Sequence, residues 1–94
     1  MLNFMNFRYF KLDLSNLSQL NSFQIGLLIN QPNIEKLGIK KSSKVINLEV
    51  YFKIYEIEGR KITLDDQINA LVEIFNKKGF KCSIVKKLPE LISL

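Results

Sequence analysis

Residues 44–58 form the stretch that most restricts how this chain can fold, because apolar and polar side chains alternate along most of it. The even positions carry Ile46, Leu48, Val50, Phe52 and Ile54. The odd positions carry Asn47, Glu49, Tyr51, Lys53 and Tyr55. A period of two is typical of a β-strand that has one face on a core and the other in water. The sequence therefore predicts a long strand here, around which the rest of the fold is organised.

Two further segments, residues 9–14 and 80–88, alternate in the same way and predict two more strands. Before Tyr9 the pattern breaks, since Asn6 and Arg8 would fall on the buried face. We expect a β-bulge there, a change of register, or a start that packs outside the sheet. Residues 32–38 leave two alternatives open, because they suit a short helical turn as well as a short strand over residues 34–41.

Two helices are predicted between these strands. Residues 64–75 place their apolar side chains on one helical face, and Thr63 followed by Asp66 resembles a capping box. Residues 17–29 carry a second apolar stripe, which Ser15 or Asn16 can cap at its start and which the sequence at residues 30–32 should end.

This order of elements predicts a single α+β domain over residues 1–94. We expect a small ferredoxin-like βαββαβ two-layer sandwich, in which an antiparallel sheet carries two helices on one face. The alternative is a three-stranded sheet with a short extra helix at residues 32–37. Residues 89–94 form an apolar tail that either packs on the body or meets a partner.

Several classes of site are excluded by composition. The chain has no histidine and one cysteine, Cys82, so we expect no metal, no cofactor and no internal disulfide. Without histidine, the usual general base near neutral pH is missing, and we expect a protein that is not an enzyme. The longest apolar runs are too short to span a bilayer. These features together predict a protein of the reducing cytoplasm.

The formal net charge is +5, and 12 of the 14 basic residues are lysines. Lysine can hold a phosphate but lacks the planar fork with which arginine reads base edges. In the expected topology the two central strands place tyrosines and lysines together on the helix-free face, namely Tyr9, Lys11, Tyr51, Lys53 and Tyr55. Further lysines collect at one end of the sheet, namely Lys40, Lys41, Lys44, Lys77, Lys78 and Lys81.

Such a face predicts a small non-enzymatic module that binds nucleic acid, as RNA or single strands, or a nucleoprotein complex, because aromatic rings stack unpaired bases. The surface is similar in kind to that of the RNA-recognition-motif family, although residues 47–55 lack the glycines of the family pattern and place Glu49 on the binding face. The alternative is a protein–protein interaction module that uses the same face and the tail. It would be a homodimer, or a small inhibitor or adaptor such as a phage- or plasmid-encoded anti-defence protein.

Overall fold

The computed structural model describes residues 1–40 and 48–93, apart from the side chains of residues 23 and 24. This part of the chain contains five strands, two α-helices and one short 3-10 helix. The strands are β1 (Leu2–Leu14), β2 (Ile34–Lys40), β3 (Leu48–Ile57), β4 (Lys81–Val85) and β5 (Leu91–Ile92). The helices are a 3-10 helix (Leu17–Asn21), α1 (Phe23–Ile29) and α2 (Leu64–Lys77).

The strands form one antiparallel sheet in the order β4-β1-β3-β2-β5. The predicted ferredoxin-like βαββαβ sandwich is wrong, because a fifth strand extends the sheet beyond β2 and only one of the two α-helices is long. The three-stranded alternative is wrong as well, since residues 34–40 pair with β3 instead of forming a helix. The apolar tail supplies the fifth strand, because its residues Leu91 and Ile92 pair with the otherwise open edge of β2.

The first helical segment is not the single helix that its apolar stripe predicts. It divides at Ser22, whose backbone is extended at φ −64° and ψ 143° and whose hydroxyl accepts a bond from the Ile25 N–H. A serine that satisfies a free helix amide favours a new helix start at its own position. The segment therefore becomes a 3-10 helix followed by a seven-residue α1.

The prediction for α2 is confirmed in its position and in its N-cap residue Thr63. The Thr63 hydroxyl accepts a hydrogen bond from the Asp66 N–H at 3.1 Å, which satisfies one free amide at the helix start. Near its other end, the Asn76 side chain makes two 3.2 Å hydrogen bonds to the backbone N–H and C=O of Cys82. Because β4 is an edge strand, this amide takes the place of a missing strand neighbour.

A single core lies between the sheet and the helices. The even positions of the central strands supply half of its buried side chains, and both helical segments supply most of the rest. The strand residues are Phe10, Leu12, Leu14, Val50, Phe52 and Ile54. Leu20, Ile25, Leu64, Ile68 and Phe75 come from the helical segments. The alternation of the two central strands therefore separates a core face from a helix-free face.

Residues 86–90 connect strands at opposite edges of the sheet, since β4 and β5 are its outermost strands. Val85 pairs with Tyr9 of β1, whereas Leu91 pairs with Lys40 at the end of β2. The connection between β4 and β5 therefore leads from one edge of the sheet to the other.

Candidate functional site: the helix-free face

The register of the sheet places the five predicted residues of the two central strands on the helix-free face. Tyr9 pairs with Lys53, and Lys11 pairs with Tyr51. Tyr55 lies opposite Phe7, which belongs to the same face. The face divides into two halves of different chemistry, one ionic and one aromatic.

The ionic half is a cluster of four charged residues, Lys11, Asp13, Lys40 and Glu49. Glu49 binds both lysines, with a direct hydrogen bond to Lys11 and a distance of 3.4 Å to Lys40 Nζ. Asp13 lies 3.8 Å from Lys11 Nζ. The hydrogen bond between Glu49 and Lys11 lowers the pKa of the carboxyl group and raises the pKa of the amine. Both lysine charges are thus balanced within the protein.

Tyr51 lies beside this cluster and is only 4% exposed. Burial raises the pKa of its phenol above the ordinary value, with the Glu49 charge as the next cause. A ring with so little free surface cannot stack on a base from solution. Tyr51 is therefore part of the support of the face and not part of its contact surface.

Stability of the ionic cluster should depend on pH through Glu49. Its pKa is lowered in the folded state, so its contribution is present above the unfolded pKa, near 4.5, and is lost as the pH falls through the folded value. We expect Glu49→Gln to be less stable than the parent at pH 7, and this difference to shrink steadily below about pH 4. Urea unfolding at a series of pH values measures this difference in the free energy of unfolding.

A matched control is Glu73→Gln, which removes a carboxylate from an exposed pair with Lys77 at 3.0 Å within α2. Pairs of this kind contribute about 0.3–0.5 kcal/mol, so this variant should stay close to the parent. If Glu49→Gln were as mild as Glu73→Gln at pH 7, the cluster would contribute no more than a surface pair.

The aromatic half consists of Phe4, Phe7, Tyr9 and Tyr55, which we name the aromatic patch. The Phe4 and Tyr55 rings meet edge to face at 5.0 Å, and the Phe7 and Tyr9 rings lie 5.3 Å apart. The Lys53 ammonium lies 4.0 Å from the Phe7 centroid and 5.2 Å from that of Tyr55, distances at which a cation is attracted to an aromatic face. Lys53 therefore serves to hold the rings together.

Tyr55 is held at both ends of its side chain. Its ring contacts Phe4, and its hydroxyl donates to Glu35 Oε2 at 2.7 Å. The bond to Glu35 is the main cause that raises the pKa of the Tyr55 phenol. The ring is thus fixed in orientation while one side of the patch faces solvent.

A β-bulge between Asn3 and Phe7 presents the outer part of the patch. Asn3 and Asn6 both donate to Glu56 Oε1, at 3.1 and 3.2 Å, and the Asn3 side chain accepts from the Met5 N–H at 3.0 Å. Held in this way, Phe4 is 65% exposed and Met5 is 87% exposed. These two residues and Phe7 were missed by the strand pattern, and the available signal was the apolar Phe4–Met5 pair inside the irregular stretch.

The lysines predicted to collect at one end of the sheet do not form a single group among the described residues. Lys81 pairs in register with Asp13 of the ionic cluster, and Lys40 belongs to that cluster. Lys77 pairs with Glu73, and Lys78 is the exposed C-cap residue of α2. Lys41 and Lys44 lie outside the described residues.

The Cys82 thiol is buried in the core. Burial raises the pKa of the Cys82 thiol to about 12, so the thiol is protonated at neutral pH. Within residues 1–40 and 48–93, no group of three side chains suited to bind a metal ion comes together. Over the same ranges, no helix has the length and apolar character needed to cross a membrane.

Comparison with known proteins finds no protein-family model, curated protein or solved structure that matches this chain. The geometry of the helix-free face is therefore the main ground for a functional proposal.

Proposed function

We propose that this protein is a non-enzymatic protein-binding module whose docking surface is the aromatic patch together with Met5. The observation that carries the proposal is the exposure of Phe4 and Met5 on a bulge beside Tyr55. Large apolar side chains grouped on a surface are typical of interaction sites. Aromatic residues and methionine are the types that interfaces favour.

The patch is also rigid before any partner arrives. Asn3, Asn6 and Glu56 hold the bulge by hydrogen bonds, and Glu35 holds Tyr55. Side chains that are already ordered lose little conformational entropy on binding, which favours affinity for a given contact area. Phe4 and Tyr55 are thus suited to act as anchors at the centre of an interface.

Binding of nucleic acid through the same face stays a prediction. Lys11 and Lys40 are paired with Glu49, and the carboxylates of Asp13 and Glu49 would repel phosphates that approach this half of the face. Tyr51 is buried. These three features favour a protein partner over a nucleic acid.

The test compares the double variant Phe4→Ser, Met5→Ser with Leu27→Ser. Leu27 is also an exposed apolar residue, at 58%, but it belongs to α1 on the other side of the sheet. A partner recovered with the tagged parent protein is identified, and its Kd is measured by calorimetry. We expect the double variant to weaken binding at least tenfold and Leu27→Ser to leave the Kd within about twofold.

Solution mass and absorbance separate the other outcomes. A dimer that dissociates in the double variant would identify the partner as a second copy of the chain. Co-purified nucleic acid that is shed in high salt and still binds the double variant would overturn the proposal in favour of a nucleic-acid partner. Equal losses in the double variant and Leu27→Ser would also contradict it.

A further inference from the structure

A groove on the core side of the sheet is separate from the aromatic patch. It has a volume of about 240 Å³ and lies between the end of α1, β3 and α2. Its apolar walls come from Leu28, Ile54, Leu71 and Ile74. The segment before α2 closes one side with Arg60 and Ile62.

One wall of the groove carries a buried polar group without a partner. Gln67 is only 8% exposed, and its Nε2 donates to the Ile62 carbonyl at a long 3.5 Å. Its Oε1 accepts no hydrogen bond from any residue in the described ranges. A buried acceptor left unpaired is destabilising, and such groups in folded proteins call for an explanation. Because Oε1 itself has almost no accessible surface, the Gln67 side chain must turn into the groove before a ligand's donor can supply the missing bond.

Arg60 adds a positive charge at the opening of the same groove. It is exposed, and among the described side chains no carboxylate lies within ion-pair distance of it. Its planar guanidinium is matched to a carboxylate, which it can bind through two parallel hydrogen bonds. The groove thus combines an apolar body, one inner acceptor and one outer cation.

We propose that this groove binds a small amphipathic carboxylate, a molecule with an apolar or aromatic body, an N–H or O–H donor for Gln67 and a carboxylate for Arg60. The volume corresponds to roughly eight water molecules at about 30 Å³ each, which suits a single small molecule better than a folded partner. A few polar groups that converge on an apolar cleft are typical of such sites. The site is independent of the aromatic patch.

Indole-3-acetate is a suitable probe, because it carries a ring, an N–H donor and a carboxylate. Titration of the ¹⁵N-labelled full chain should shift the amide signals of Ile62, Gln67 and Leu71 with saturation. Two matched probes each lack one group: 1-methylindole-3-acetate has no donor, and 3-methylindole has no carboxylate. We expect each to bind about tenfold more weakly than indole-3-acetate.

Two variants assign these effects to the groove. Gln67→Leu keeps the side-chain size and should remove the preference for the N–H donor, whereas Arg60→Gln should remove the preference for the carboxylate. Lys61→Gln is the control, because Lys61 is the charged neighbour that does not line the groove, and it should behave as the parent protein does. Absence of saturable shifts, or the same affinity in parent, Gln67→Leu and Arg60→Gln, would overturn the proposal. If Gln67→Leu fails to fold, 1-methylindole-3-acetate still tests the need for a donor, and Arg60→Gln still tests the need for a carboxylate.

Discussion

Replacing Phe52 with alanine is expected to lower the free energy of unfolding by about 3–5 kcal/mol. Phe52 is fully buried in β3, and its ring stacks on that of Phe10 in β1 with centroids 5.0 Å apart and planes 12° apart. This stack joins the two central strands of the sheet at a register pair. Removal of one ring leaves a cavity that the close-packed strands cannot fill. Urea unfolding should show a lower midpoint with an unchanged slope.

Phe4→Ala is the matched control, since Phe4 is also a phenylalanine and lies in β1, but is 65% exposed. It loses one edge-to-face contact with Tyr55, which is worth about 0.5–1.5 kcal/mol. A loss for Phe4→Ala as large as that for Phe52→Ala would contradict the assignment of Phe4 to an exposed patch. The same comparison shows whether Phe4 can be changed in binding experiments without unfolding the domain.

The core of this fold could be predicted from local pattern. Alternation in residues 9–14 and 44–58 predicts the two central strands and their two faces, and the apolar stripe of α2 predicts the helix that covers one of these faces. Such patterns are reliable because each side chain's burial depends mainly on the element to which it belongs. Alternation in residues 80–88 also predicts a buried Cys82, and this side chain is buried.

The parts that the pattern missed depend on contacts between distant residues. The two-residue β5 has no pattern of its own, and it exists because β2 offers an open edge. The bulge at Asn3 to Phe7 is held by Glu56, 50 or more positions away in sequence. The break at Ser22 reflects a choice between two possible helix starts that composition alone does not decide.

The sequence predicts which side of the sheet carries the candidate site, but it does not predict which side chains on that side are exposed. Period-two alternation correctly places Tyr9, Tyr51 and Tyr55 on the side without helices. It carries no information on how closely side chains pack on that side, so the burial of Tyr51 could not be foreseen. Exposure of Phe4 and Met5 was equally hidden, because the bulge that presents them interrupts the pattern.

Gly38 is the second residue at which a small change should have a large effect, because β5 packs directly against it. Gly38 has φ +154°, and a Cβ built on it would lie 2.5 Å from the Ile92 carbonyl oxygen and 3.3 Å from Leu91 Cβ. Since a backbone oxygen cannot rotate away, Gly38→Ala must displace β5. We expect a loss of about 2 kcal/mol in the free energy of unfolding, within the usual range for a strained backbone position.

Displacement of β5 should also break its backbone pairing with β2. Hydrogen exchange at the Ile39 amide, opposite Ile92 in the pairing, should accelerate in Gly38→Ala before the domain as a whole unfolds. Gly26→Ala is the matched control, since a Cβ at Gly26 meets nothing within 4 Å and alanine favours the helix by up to about 1 kcal/mol. Unchanged exchange at Ile39 in Gly38→Ala would mean that β5 tolerates the methyl group. In that case the tail is held by contacts other than its pairing with β2.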